Sequence, residues 1–300
     1  MTLTIGQVLE AAAERLAPSP TARADAEELV GRLLGRKRAE LYLERATPLD
    51  ASAERRLEAW ISRRLAGDPV QYITGRAAFR GLDLEVSPAV LIPRPETEVL
   101  VEVALEALRA EAGRWPSPRV LDLGTGSGAI ALAIAAEYPA ARVTAVERSP
   151  AALEIAHRNA EALGLAGRVR FVEGYWFDAP DADERFEMVV SNPPYVSPAE
   201  RDELPADVRD HEPAEALFSG EDGLEDTREI LDRAPRHLVA AGRLLLELSE
   251  RRAAEVAAWL EGSRDWAEVA VRNDLAGKPR ILVAIRERGP AIAPAQWIEE

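Results

Sequence analysis

Apolar positions in the first third of the chain recur at helical spacing. Val8, Leu9, Ala12 and Leu16 share one side of a helix, and Thr4 with Gln7 just ahead of them makes a capping-box pattern. A second stripe, Leu29, Val30, Leu33 and Leu34, runs into Gly35. A third, Leu57, Trp60, Ile61 and Leu65, precedes Gly67, a residue suited to the left-handed turn that closes a helix. Residues 1–75 are therefore expected to form a small bundle of three short helices. The period then changes. Leu82, Leu84 and Val86 alternate with Asp83 and Glu85, a strand pattern, and Phe79 with Gly81 places a hairpin nearby. Ile92-Pro93-Arg94-Pro95 cannot be helical, because each proline drives the residue before it out of the helical region. Residues 76–95 read as a hairpin linker, and a helical pattern resumes at Glu96 and continues to about Leu108.

From residue 119 strands and helices alternate. Strands are expected at Val120 to Leu123, Arg142 to Glu147, Val169 to Val172, Met188 to Ser191, Leu244 to Leu248 and Ile281 to Ile285. Helices fall at Ala129 to Glu137 and from about Pro150 to Leu163. This rhythm predicts an α/β unit over residues 96–288, with a mostly parallel sheet covered on both faces. Residues 289–300, with prolines and two terminal acids, read as a loose tail.

Composition narrows the class. Three hundred residues suit two units, and 47% hydrophobic positions can fill a sizeable core. No apolar run approaches the roughly 20 residues that span a bilayer, so no membrane association is expected. Met1-Thr2-Leu3-Thr4-Ile5-Gly6 lacks a basic stretch followed by an apolar one, so no secretory leader is expected and the cytoplasm is the default. The chain has no cysteine, which excludes disulfides and thiolate metal sites. His157, His211 and His237 show no ligand rhythm, so no metal is expected. The net charge is −15, unevenly spread. Residues 1–80 hold 13 Lys and Arg against 11 Asp and Glu, whereas the remainder holds 24 against 41. An acidic main body repels phosphate backbones, which makes bare DNA a poor partner.

Two segments carry chemistry. Asp122-Leu123-Gly124-Thr125-Gly126-Ser127-Gly128 follows a strand and opens a helix. Its alternate glycines let the backbone turn sharply and approach a ligand, and the helix start beyond offers free N–H groups. Glu147 ends the next strand, where an acid can accept both hydroxyls of a ribose. Loop and acid together make an adenosine-site pattern. They do not choose the cofactor, since Gly124, Gly126 and Ala129 also satisfy G-x-G-x-x-A, the dinucleotide fingerprint. No lysine follows the glycines, which excludes a P-loop. Ser127 lies in no G-x-S-x-G window, which removes a hydrolase elbow.

The second segment is Asn192-Pro193-Pro194-Tyr195, directly after a buried strand. Ligands of doubly wound sheets lie beyond the carboxyl ends of the strands, so this segment and the glycine loop share an edge. Adjacent prolines remove backbone donors. What remains is acceptors, the Asn192 side-chain oxygen and the Pro193 carbonyl, suited to the two hydrogens of a planar –NH2. Tyr195 offers a flat face. These residues alone leave an amide and an adenine equally open as the group that is held.

In combination, several motifs resemble the HemK/PrmC family, the glutamine methyltransferases of peptide-chain release factors. They are Pro69-Val70-Gln71-Tyr72-Ile73-Thr74-Gly75, Leu91-Ile92-Pro93-Arg94-Pro95-Glu96-Thr97-Glu98, the glycine loop, Ser191-Asn192-Pro193-Pro194-Tyr195, His211-Glu212-Pro213-Ala214-Glu215-Ala216-Leu217 and Asp274-Leu275-Ala276-Gly277-Lys278-Pro279-Arg280. The likeness runs from the helical N-terminal region to about residue 285. It implies a class I S-adenosylmethionine-dependent fold, Rossmann-like, with a seven-stranded, mostly parallel sheet and a small N-terminal helical bundle. It implies methylation of the glutamine side-chain amide in the Gly-Gly-Gln motif of class 1 release factors. By position, Gly124, Thr125, Gly126, Ser127 and Gly128 would cradle the methionine part of S-adenosylmethionine, and Glu147 would bind the ribose. Trp176 would pack near the adenine. Asn192, Pro193, Pro194 and Tyr195 would hold the glutamine, with Asn192, Pro193 and Tyr195 catalytic and Asn192 also touching the cofactor. The segment with Arg94 and Glu98 would help close the cofactor pocket; the near-neutral charge of the N-terminal bundle, residues 1–75, and its lack of chemistry point to docking of the release factor. Methyl transfer in line from a sulfonium needs placement more than a strong base, and alignment can supply about 7–11 kcal/mol. The chain departs from the family at Glu147, where Asp is commoner, and at Tyr175, which replaces a common Asp. A methyltransferase for a ribosomal-protein glutamine would use the same clamp. A DNA adenine methyltransferase would want a basic recognition region, and a nicotinamide oxidoreductase leaves the clamp unexplained.

Overall fold

A computed structural model describes residues 3–17 and 19–287, so the expected tail at 289–300 lies outside the described residues. Thr4 caps α1 (Ile5–Arg15) through the reciprocal pair with Gln7. α2 (Ala22–Leu34) ends on left-handed Gly35, and α4 (Ala51–Leu65) starts on Asp50, whose carboxylate accepts from the Ser52 and Ala53 N–H groups. Two helices the apolar pattern does not show complete this region: α3 (Arg38–Leu43) and α5 (Val70–Thr74). At six and five residues they are too short for a stripe to repeat. Ile5, Leu9, Leu29, Val30, Leu41, Leu57 and Ile61 form their common core.

β1 (Arg76–Phe79) and β2 (Leu82–Glu85) make the expected antiparallel hairpin, with Phe79 paired to Leu82 across the Arg80-Gly81 turn. α6 (Pro95–Ala110) begins at the last proline of Ile92-Pro93-Arg94-Pro95, where a missing N–H costs nothing. The α/β unit follows as β3 (Arg119–Leu123), α7 (Ala129–Glu137), β4 (Arg142–Glu147), α8 (Pro150–Ala162), β5 (Val169–Glu173) and β6 (Phe186–Ser191). Short helices α9 (Ala206–His211) and α10 (Ala214–Leu217) precede α11 (Glu225–His237), β7 (Leu238–Glu247), α12 (Ala253–Leu260), β8 (Trp266–Asn273) and β9 (Pro279–Arg286). Seven of these strands form one sheet in the order β5-β4-β3-β6-β7-β9-β8. Neighbours from β5 to β7 are parallel, and β9 runs antiparallel to both β7 and β8. β8 is the strand the sequence pattern missed. It is an edge strand, mostly half-buried or exposed, so no clean alternation marks it.

Two apolar layers enclose the sheet. One face packs under α6 and α7, with Leu100, Leu108, Ile130, Leu132 and Ile134 fully or nearly fully buried. α7 is apolar all round, as a helix sunk in a core must be. The other face is covered by α11 and α12 through Ile230, Leu231, Val256 and Leu260. A smaller cluster of Tyr72, Val86, Val90, Ile92 and Ile155 joins the N-terminal helices and hairpin to α8. No helix of the described residues is long and apolar enough to cross a membrane.

Candidate active site

The chain leaves β3 for β4 and β5 on one side and returns to β6 on the other, which makes the β3–β6 boundary the switch point where a crevice opens. Leu123 lies opposite Ser191 in that pair. Gly124 and Asn192, the next residue on each strand, therefore emerge side by side. The Ser191 hydroxyl donates to the Leu123 carbonyl at 2.7 Å and locks this alignment in the core. Leu123 is also opposite Val146 of β4, which brings Glu147 to the same edge.

Gly124, Gly126 and Gly128 all take positive φ, at 70°, 55° and 85°. A Cβ on Gly124 would come within 3.0 Å of the Trp176 ring, so this glycine lets the indole approach the loop closely. Gly126 has open space where a Cβ would stand, and its N–H donates to Glu147 Oε2 at 2.9 Å. The other Glu147 oxygen accepts from the Ser149 N–H at 2.9 Å. Each bond uses one lone pair, so the carboxylate keeps acceptor capacity on both oxygens. Beneath the loop the fully buried Asp122 accepts from the Thr125 hydroxyl at 2.6 Å and the Ala131 N–H at 3.2 Å. Burial pushes its pKa up to about 7, against the lowering effect of those two bonds.

A cleft of about 920 Å³, open solvent included, is lined by Gly124, Thr125, Gly126, Ser127, Glu147, Trp176, Asn192 and Pro194 among others. Gly128, Pro193 and Tyr195 do not line it. Gly128 instead starts α7, where a Cβ would meet Leu132 at 2.9 Å. Pro193 is buried and Tyr195 half-buried, both outside the lining to which Asn192 and Pro194 contribute. The Tyr195 hydroxyl is held well above its usual pKa by burial and by the Glu247 charge, so it stays protonated.

Several residues of the site have no obvious signal in the glycine loop or clamp. Asn192 Nδ2 donates to the Thr97 hydroxyl at 3.2 Å, and Thr97 donates in turn to Glu247 Oε2 at 2.7 Å. Glu247 ends β7 and is 1% exposed, which drives its pKa up to about 7 although Thr97, Arg280 and Tyr195 oppose the rise. Arg94 lines the cleft and pairs with Glu212 at 2.5 Å, while the Ile92 N–H donates to the other Glu212 oxygen at 3.2 Å. The Ile-Pro-Arg-Pro and His-Glu-Pro segments, far apart in the chain, are thus one wall. The segment with Arg94 and Glu98 reaches the cleft through Pro93, Arg94 and Thr97, while the Glu98 carboxylate accepts from the Arg80 N–H at 2.9 Å and fixes the hairpin.

Trp176 holds the far wall at a positive φ of 42°, a strained position for a bulky residue. Asp226 Oδ1 accepts from both the Trp176 Nε1–H at 3.1 Å and the Tyr175 hydroxyl at 2.8 Å, and the Asp226 N–H donates to Ser219. Tyr175 therefore supplies a hydrogen-bond donor where an acid was expected. Asp226→Ala should leave both donors without their acceptor at about 1–3 kcal/mol apiece. The expected result is a lower urea midpoint, with Asp226→Asn, which keeps one acceptor, recovering most of the loss. An unchanged midpoint for the alanine variant would show that the bond does not hold this wall.

Comparison with known proteins places this geometry. Residues 7–75 match a family described as the PrmC N-terminal domain, and residues 116–279 match a methyltransferase domain. The release factor glutamine methyltransferase of Burkholderia pseudomallei is 45% identical over 90% of this chain and 94% of its own length. That of Pseudomonas aeruginosa is 46% identical over the same shares, 90% and 94%. Among solved structures, a methyltransferase from Pyrococcus furiosus superposes with a TM-score of 0.50 at 21% identity, over 76% of this chain and 98% of that one, a likeness of fold.

Proposed function

This chain belongs to the family of release factor glutamine methyltransferases, and we propose that it methylates the glutamine side-chain amide in the Gly-Gly-Gln motif of class 1 release factors. The observation that carries the reading is the side-by-side emergence of Gly124 and Asn192 at the switch point, so that the glycine loop and the Asn-Pro-Pro-Tyr segment line one cleft.

S-adenosylmethionine, when bound, supplies an electrophilic methyl group. The free face of Gly126 and the loop N–H groups fit a close ligand approach, and Glu147 retains acceptors for ribose hydroxyls. Trp176, whose ring edge lies close to Gly124, would cover the adenine. Asn192 Oδ1 and the Pro193 carbonyl receive the two hydrogens of the glutamine –NH2. Holding both hydrogens weakens the conjugation of the nitrogen with its carbonyl and aims its lone-pair density at the methyl. The adjacent prolines keep the two acceptors at fixed separation, and the Tyr195 hydroxyl, hydrogen-bonded to Glu247, anchors the segment. Thr125 and Ser127 shape the loop, with Gly128 setting the start of α7. We assign residues 1–75 to docking of the release factor. Their near-neutral charge contrasts with the acidic remainder, and they touch the wall of the site through the 2.6 Å bond from the Tyr72 hydroxyl to the Val90 carbonyl.

The test is to incubate the purified chain with methyl-labelled S-adenosylmethionine and an intact class 1 release factor, then locate the label by mass spectrometry. Label on the glutamine of Gly-Gly-Gln is the expected result. Label on another residue, or none where a ribosomal-protein fraction is labelled instead, would overturn the assignment.

A further inference from the structure

We propose that Thr97 and Glu247 form a positioning relay that turns the Asn192 amide oxygen toward the cleft, and that the relay holds only while Glu247 is a carboxylate. The inference rests on the reading of Asn192 as the amide clamp. It begins in strand register. Ser191 of β6 lies opposite Leu246 of β7, so Asn192 and Glu247, one residue further on each strand, stand at the same sheet edge. Thr97, in the first turn of α6 and 4% exposed, lies between them.

Counting protons fixes the orientation. A carboxylate only accepts, so the 2.7 Å bond requires the single Thr97 hydroxyl hydrogen to point at Glu247. The Thr97 oxygen then has only lone pairs to offer Asn192. The side of the amide facing Thr97 must be its –NH2, at 3.2 Å, which leaves Oδ1 for the cleft. A proton on Glu247 Oε2, the oxygen to which Thr97 donates, reverses the chain. Its new O–H would donate to Thr97, the Thr97 hydrogen would turn to Asn192, and the amide would rotate to accept it. The clamp would then present a donor to a substrate –NH2 that can only donate.

The groups around Glu247 come from three elements. Thr97 and Glu96 face it from α6, Arg280 from β9, and the Tyr195 hydroxyl from the clamp segment. Burial outweighs the favourable effects of Thr97, Arg280 and Tyr195, and Glu96 adds to it, so the carboxyl titrates near pH 7 rather than in the usual acid range. The sign follows: kcat rises with pH through that region and falls as Glu247 is protonated.

The experiment compares kcat across pH, on both sides of neutrality, for the native chain, T97V, T97S, E247Q and N192A, with S-adenosylhomocysteine binding measured in parallel. T97V should bind S-adenosylhomocysteine as the native chain does and lose about 10- to 100-fold in kcat, the scale of a misplaced reactant. T97S, which restores the hydroxyl, should regain most of that loss. E247Q cannot titrate, so its kcat should be lower but flat where the native profile falls. Native turnover by T97V, or an acid limb that persists in E247Q, would overturn the relay. If T97V fails to bind S-adenosylhomocysteine, the T97S and E247Q profiles decide on the same terms. N192A separates the two levels. Loss of turnover there with a native T97V sinks the relay alone, whereas native turnover by N192A removes the clamp reading and the relay with it.

Discussion

Replacing Asn192 with alanine is expected to reduce methyl transfer by about 10²–10³-fold while S-adenosylhomocysteine binding stays near native. The side chain has two polar ends, and one of them, Nδ2, is spent on Thr97. The other is the acceptor that faces the cleft. Removing it leaves one hydrogen of the substrate amide unpaired in a desolvated site, at about 1–3 kcal/mol. It also frees the nitrogen to swing out of line, and alignment is where this chemistry gets most of its rate. The proposed cofactor site rests mainly on the loop after β3 and on Glu147, whose bonds to the Gly126 and Ser149 N–H groups do not involve Asn192, so binding should largely persist. Single-turnover methylation of an intact release factor, beside a calorimetric titration with S-adenosylhomocysteine, checks both halves. Turnover within a few-fold of native would mean that the amide is held elsewhere.

Glu147→Gln should do the opposite, cutting S-adenosylhomocysteine affinity by about 100-fold and turnover with it at sub-saturating cofactor. The two carboxylate oxygens already accept from the Gly126 and Ser149 N–H groups. A glutamine amide has one acceptor, so its –NH2 must face one of those donors or the ribose. Either arrangement leaves a donor unpaired at about 1–3 kcal/mol, and every tenfold in affinity corresponds to roughly 1.4 kcal/mol. The Gly126 turn would lose its anchor as well. Unchanged affinity would show that the ribose acid lies elsewhere. Contrasted with Asn192→Ala, this variant separates a cofactor defect from a clamp defect in the same cleft.

Both positions were legible in the sequence, because each is a residue type with a restricted purpose after a buried strand. Glycines at alternate positions and consecutive prolines constrain the backbone locally, and local constraints survive in a one-dimensional pattern. The same holds for the larger elements. The capping box at Thr4, the hairpin at Phe79 and Gly81, and six of the seven sheet strands follow from period and turn chemistry within a few residues. Strand β8 and helices α3, α5 and α9 to α12 escaped; α3, α5, α9 and α10 are too short and β8 too exposed to repeat a pattern, whereas α11 and α12 simply went unread.

What the chain alone established is the alternation that makes a parallel sheet, a glycine loop and acid in the adenosine-site pattern, and a motif combination that resembles one methyltransferase family. Tertiary structure decided how those parts meet. Register sets Gly124 beside Asn192, and Asn192 beside Glu247, across strands separated by dozens of residues. Thr97 and Glu247 are 150 positions apart and share a 2.7 Å hydrogen bond. Arg94 and Glu212, 118 apart, close one wall. Glu98, four residues from Arg94, faces the hairpin instead. No spacing rule contains these pairings, because they are fixed by which strand ends the fold brings to one edge. Burial decides the rest: a carboxyl such as Glu247 titrates near neutrality only because folding removes it from water.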